Sequence, residues 1–165
     1  MFLEECYKIS EQYPHIFTDD HHVDAFAMYL VLHPEKYDVI VTTNMFGDIL
    51  SDLAAGLVGG LGVAPSLNEG DHFAVAQAVH GSAPSIAGKG IANPVAEILS
   101  AQMLINWLGR KHNDPQLVQV SGLLYKAIWN YLDCGDKKTP DLGGNSSTEE
   151  VSKEIITYIQ RVNSF

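Results

Sequence analysis

Apolar positions along the chain follow two different periods. Leu3, Cys6, Tyr7 and Ser10 share one side of a helical pattern, which predicts a helix from Leu3 to Gln12 that Pro14 stops. A second helical run extends from Val23 to Leu32. Tyr37 to Thr43 reads differently: Tyr-Asp-Val-Ile-Val-Thr-Thr is short and β-branched, as expected of a strand covered on both faces. The helical pattern returns directly after it. Gly56, Gly59, Gly60 and Gly62 then mark a stretch where backbones approach closely or turn at positive φ. Phe73 to Val79 predicts another strand, followed by a Gly/Pro/Ser loop from His80 to Gly90. Asn93 is expected to cap a helix that has Pro94 in its first turn and continues to about Leu108. Leu117 to Leu132 and Glu149 to Val162 complete the helices, separated by the turn-rich Thr139-Pro140-Asp141-Leu142-Gly143-Gly144. Strands followed by helices predict an α/β layered architecture. Trp107 and Trp129 lie on apolar helix faces and are expected in the core.

Composition narrows the partners. At 165 residues and 46% hydrophobic content, the chain is long enough to bury a core. A net charge of -10 with no Lys/Arg run disfavours nucleic acid and anionic membranes. The longest apolar stretch, LAAGLVGGLGVAP, carries four glycines and ends in proline, so no membrane span is expected. Cys6 and Cys134 lie far apart without a CxxC pattern, which predicts reduced, buried thiols in an intracellular protein, cytoplasmic or mitochondrial. Met1 to Glu5 reads like the inside of a helix, so further sequence is expected upstream. The Asn145-Ser146-Ser147 sequon is expected to be accidental in such a compartment.

Asp48 and Asp52 carry the first chemical signal. Four residues apart on a helix, they stack on one face one turn apart. Uncompensated like charges at that spacing destabilise a helix by roughly a few tenths of a kcal/mol. The pair suits Mg²⁺ or Mn²⁺, which take oxygen ligands, and it equally fits a solvated helix face. Asp24 reads as an aspartate favoured at a helix N-terminus. His21 and His22 do not make a transition-metal pair, because neighbouring helical side chains point apart.

The glycines do not spell a standard nucleotide loop. A GxGxxG starting at Gly60 meets Pro65, and a Walker pattern ending at Gly88-Lys89 meets Ala83 and Gly90. The small residues between His80 and Asn93 would let backbone N–H groups reach phosphates, and their composition equally suits a surface loop.

Two long segments, TTNMFGDILSDLAAGLVGGLGVAPS and VHGSAPSIAGKGIANPVAEILSAQML, resemble those of the isocitrate and isopropylmalate dehydrogenases. The likeness runs from about Phe2 to the C-terminus. It implies an enzyme that oxidises a (2R)-hydroxy acid with a nicotinamide cofactor and decarboxylates the product at its β-carbon. It implies Asp24, Asp48 and Asp52 as ligands of Mg²⁺ or Mn²⁺, with Asp24 meeting the pair across a dimer interface. It also implies that His80-Gly81-Ser82-Ala83-Pro84-Ser85-Ile86-Ala87-Gly88-Lys89-Gly90-Ile91-Ala92-Asn93 holds the adenosine end of the cofactor, with His80 and Asn93 flanking the adenine and Asp141 approaching from the C-terminal side. Ser85 stands where NAD-dependent members have aspartate, and Gln77 where they commonly have glutamate. With no basic residue beside Ser85, NAD is expected over NADP, with weak discrimination. The GLVGGLGVAPS segment leans toward isocitrate-like members.

The fold implied is the two-domain α/β fold of that family, present here as its C-terminal half. Residues 1–57 would end the central domain through which subunits dimerise, and residues 58–165 would end the cofactor-binding domain. The partners implied are a small 2-hydroxy acid and further copies of the protein. The family's substrate-binding arginines and its acid/base tyrosine and lysine have no counterpart here, so this chain alone is expected to be inactive.

Overall fold

In the computed structural model, which describes residues 1–162, the chain divides after Leu57 into two units, Met1–Leu57 and Val58–Phe165. The first holds α1 (Phe2–Ser10), α2 (Val23–Leu32) and α3 (Asn44–Leu57). Phe26 and Leu30 of α2 meet Leu50 of α3, with Tyr37 and Leu53 packed against them. Full burial of one such side chain is worth about 1.5–3 kcal/mol, so this is a small core. Aromatic rings extend it: Phe26 and Tyr37 meet edge-on at 4.7 Å, and the His21 ring lies 5.6 Å from Phe26. α1 buries none of its residues, and its Tyr7 hydroxyl donates to the Asp20 carboxylate, which raises the phenol above its ordinary pKa.

Tyr37 to Thr43 is not a strand. Among the described residues its backbone has no ladder partner, and Val39 and Val41 are 83% and 69% exposed. β-Branched residues favour a pleated surface only where a neighbouring strand supplies hydrogen bonds and packing. The two cysteines also depart from expectation, Cys6 being half-buried and Cys134 exposed.

The second unit contains the sheet. β1 (Pro65–Glu69) and β2 (Ala74–Ala78) pair antiparallel, with Pro65 opposite Ala78 and Glu69 opposite Ala74. β1 gives no period-2 signal in the sequence, but proline is tolerated as the first residue of an edge strand. α4 (Val95–His112) contacts both strands and α5 (Pro115–Cys134), while α6 (Thr148–Val162) packs on α5. Val63, Val95, Leu99, Ile128, Tyr131, Val151 and Ile155 form the core between them. Side chains of α4 tie down β2: the Ser100 hydroxyl donates to the Gln77 carbonyl at 2.8 Å, and Glu97 accepts from the Ala78 amide at 3.1 Å. α4 ends at Asn113 in the left-handed conformation (φ 52°), and Asp114 caps α5 by accepting from the Gln116 amide at 2.9 Å.

Trp129 is 53% exposed and lies outside the core, because Ile128 occupies the buried face of α5 and the next residue lies about 100° further round the helix. Trp107 is half-buried, with the Lys111 ammonium 4.5 Å above its ring. No helix among the described residues is long and apolar enough to cross a membrane.

Candidate functional site

Two groups of residues in the suspected segments differ in how they are built. The first stands on α3. Asp48 and Asp52 are one turn apart and exposed, and among the described residues neither carboxylate accepts a hydrogen bond or joins an ion pair. Helical geometry sets them on one face, and their oxygens keep their lone pairs. Asp24, in the first turn of α2, accepts from the Ala25 amide at 2.8 Å. Among the described residues no three His, Cys, Asp or Glu side chains cluster as a metal site, so Asp24 is not brought onto the Asp48–Asp52 pair within this chain. The pair by itself fits a hard divalent cation in donor chemistry, with no lysine or arginine competing for it.

The second group lies wholly within the second unit. Asn93 is buried, and its amide makes two bonds: Nδ2 donates to Asp141 Oδ2 at 3.0 Å, while Oδ1 accepts from the Val95 amide at 3.0 Å. Asn93 therefore caps α4 and orients Asp141 at once. Gly62 completes the contact. A Cβ placed there would lie 2.3 Å from Asp141 Oδ2 and 3.0 Å from Asn93 Cβ, so any larger residue would have to displace the Asp141 carboxylate. Asp141 sits in a tight turn that also requires glycine, since a Cβ on Gly144 would meet the Lys138 carbonyl at 2.0 Å. The structure thus gathers Gly62, Asn93 and Asp141 from three separate stretches of sequence.

The loop running into Asn93 is mostly exposed. Ser82, Ser85 and Lys89 all face solvent. His80 Nδ1 lies 3.0 Å from the Gly81 carbonyl. Ala83 adopts a left-handed conformation (φ 43°), unfavourable for a residue with a Cβ, and Gly88 and Gly90 follow at φ 74° and 64°. Pro84–Ile86 forms a single short helical turn. The end of the loop is fastened by Thr148, whose amide donates to the Gly90 carbonyl at 2.8 Å and whose hydroxyl donates to the Ala92 carbonyl at 2.5 Å. Sequence reasoning missed Thr148. The nearest signal was the Ser147-Thr148-Glu149-Glu150 capping box at the start of α6. A depression of about 780 Å³ over α5 and α6 is lined by Tyr125, Trp129, Cys134, Tyr158 and Arg161 and includes none of these loop residues.

Residues 1–155 match the family model of isocitrate/isopropylmalate dehydrogenase. The chain is 52% identical over 161 residues to a homoisocitrate dehydrogenase of Methanocaldococcus jannaschii, covering 98% of this chain and 44% of that protein. It is 48% identical over 159 residues to a 3-isopropylmalate dehydrogenase of Archaeoglobus fulgidus, covering 96% of this chain and 46% of that protein. A crystal structure of isocitrate dehydrogenase from Methylococcus capsulatus superposes with a TM-score of 0.82 at 42% identity, over 96% of this chain and 45% of that one. The chain spans somewhat less than half the length of the relatives it matches.

Proposed function

Because the chain belongs to the isocitrate/isopropylmalate dehydrogenase family, we propose that it is part of an enzyme that oxidises a (2R)-hydroxy acid with NAD and decarboxylates the resulting 2-oxo acid at its β-carbon. The observation that carries this reading is the convergence of Gly62, Asn93 and Asp141 beside an exposed small-residue loop. A fixed amide and carboxylate beside a loop of small residues suit recognition of an adenosine, with Gly62 letting the two side chains meet.

In this reading His80 to Asn93 holds the adenosine, Asn93 and Asp141 orient it, and loop amides face the phosphates. Ser85 offers the ribose a hydroxyl in place of a carboxylate, and with no arginine or lysine beside it to pair a 2′-phosphate, NAD is favoured over NADP. Asp48 and Asp52 supply carboxylate oxygens to Mg²⁺ or Mn²⁺, with Asp24 contributed across a subunit interface. Such a cation, when bound, stabilises negative charge developing on the substrate oxygen. Residues 1–57 would belong to the dimerisation domain and residues 58–165 to the cofactor domain. A non-catalytic subunit of the same fold is the second reading, favoured by serine at Ser85 and glutamine at Gln77 where catalytic relatives are expected to carry acids.

The test uses the full gene product carrying this chain. NADH formation is followed with isocitrate, homoisocitrate and 3-isopropylmalate, with Mn²⁺ and with a chelator, and then with NADP in place of NAD. The expected result is metal-dependent turnover of one of these acids with a higher kcat/KM ratio for NAD. Turnover that survives the chelator would refute the metal assignment, and no turnover of any acid would favour the non-catalytic reading.

A further inference from the structure

We propose that Thr148 is a positioning residue for the cofactor loop, fixing the loop's exit by joining the N-terminus of α6 to Gly90 and Ala92. The proposal rests on the cofactor reading above and deepens it. The first amides of any helix lack acceptors inside the helix. In α6 part of this need is met locally: Glu150 N donates to Ser147 Oγ at 3.2 Å, and Glu150 Oε2 accepts from the Ser147 amide and hydroxyl at 2.8 and 2.9 Å. These bonds hold the Glu150 carboxyl below its ordinary pKa. The Thr148 amide instead donates across 58 positions of sequence, to the carbonyl of Gly90, and its hydroxyl reaches the carbonyl of Ala92.

Those two carbonyls bracket Ile91, and Ala92 leads directly into Asn93. Gly90 stands at φ 64°, a left-handed conformation that favours glycine. Among the described residues, the backbone bonds of the earlier part of the loop run within it, such as Ile86 N to Ala83 O at 3.0 Å and Lys89 N to Ile86 O at 3.1 Å. Thr148 therefore ties the exit of a locally bonded loop to α6, just before Asn93 makes its own bonds to Asp141 and Val95. The Asn93 amide, which must satisfy Asp141 and Val95 together, depends on where that exit lies.

The experiment compares Thr148→Val, which keeps the shape and the amide but loses the hydroxyl, with Thr148→Ser, which keeps the hydroxyl. In the full gene product, one measures NAD binding by titration, KM for NAD and for the hydroxy acid, kcat, and hydrogen exchange of loop amides without cofactor. Loss of one net hydrogen bond predicts that Thr148→Val weakens NAD binding about fivefold, with kcat and the hydroxy-acid KM unchanged and loop exchange accelerated. Thr148→Ser should restore both readouts to within about twofold. Unchanged loop exchange in Thr148→Val overturns the proposal, as does an equal loss in both variants accompanied by a lower Tm. Faster loop exchange with unchanged NAD affinity overturns it as well when Asn93→Ala does weaken NAD binding. If Asn93→Ala then also leaves NAD binding unchanged, that failure belongs to the cofactor reading and not to the tether.

Discussion

Among the described residues no donor engages the Asp48 and Asp52 carboxylates on α3, whereas Asp141 is bonded to Asn93 at 3.0 Å against Gly62, where a Cβ would displace the Asp141 carboxylate. Both groups occupy segments with the family's sequence signatures. The first keeps its lone pairs free, and on the proposed reading takes a further ligand from another subunit. The second is already satisfied by bonds inside its own unit. The contrast extends to packing, since the first unit buries Phe26, Leu30 and Leu50 while the second buries a core of seven residues. On the proposed reading, a metal site that takes ligands from outside can sit on a thinly packed helix face. One that must hold a cofactor at fixed spacing requires a rigid frame.

The largest effect that tests this contrast is expected at the carboxylate pair. In the full gene product, Asp48→Asn or Asp52→Asn keeps the shape but removes a formal charge, and should lower Mn²⁺ affinity and turnover by about 100-fold or more. Folding stability should change little, because neither side chain bonds to the protein. Mn²⁺ binding that survives either change would break the comparison.

At the cofactor group the effect should be smaller and should strike stability and binding together. Gly62→Ala drives a Cβ into Asp141 and Asn93, and overpacking of this kind costs about 1–3 kcal/mol. A lower Tm with weaker NAD binding is expected. Unchanged values of both would mean that the Gly62–Asn93–Asp141 contact yields easily and frames nothing.

The smallest effect concerns the second unit's core. Tyr131 is fully buried, its hydroxyl donates to the Lys137 carbonyl at 2.7 Å, and burial with nearby Glu154 and Asp141 pushes its pKa from 10.0 up to about 12. Because the folded pKa is the higher one, the stabilisation is intact below pH 10 and is lost as pH rises towards about 12. Tyr131→Phe should cost about 1 kcal/mol at neutral pH, leaving a carbonyl without its donor, and should flatten the decline of stability across that alkaline window. An equally steep decline in both proteins would show that Tyr131 is not the group responsible.

Much of this was legible in the sequence, and the parts that were share one property. α2, α4, α5 and α6 follow from helical periodicity, and α4 also from Asn93 at its start, all local signals acting within a turn or two. The one-face placement of Asp48 and Asp52 follows likewise from the 3.6-residue repeat. Tyr37 to Thr43 has equally clear local character and yet forms no strand, because a strand exists only with a partner. β1, with none of that character, is a strand because β2 lies beside it. The bond from Asn93 to Asp141, the close approach of Gly62, and the reach of Thr148 to Gly90 and Ala92 join positions dozens of residues apart. Sequence determined which residues were of the right kind. Only tertiary structure decided which of them meet, since hydrogen bonds and steric exclusion between distant segments depend on how the helices pack rather than on any local spacing.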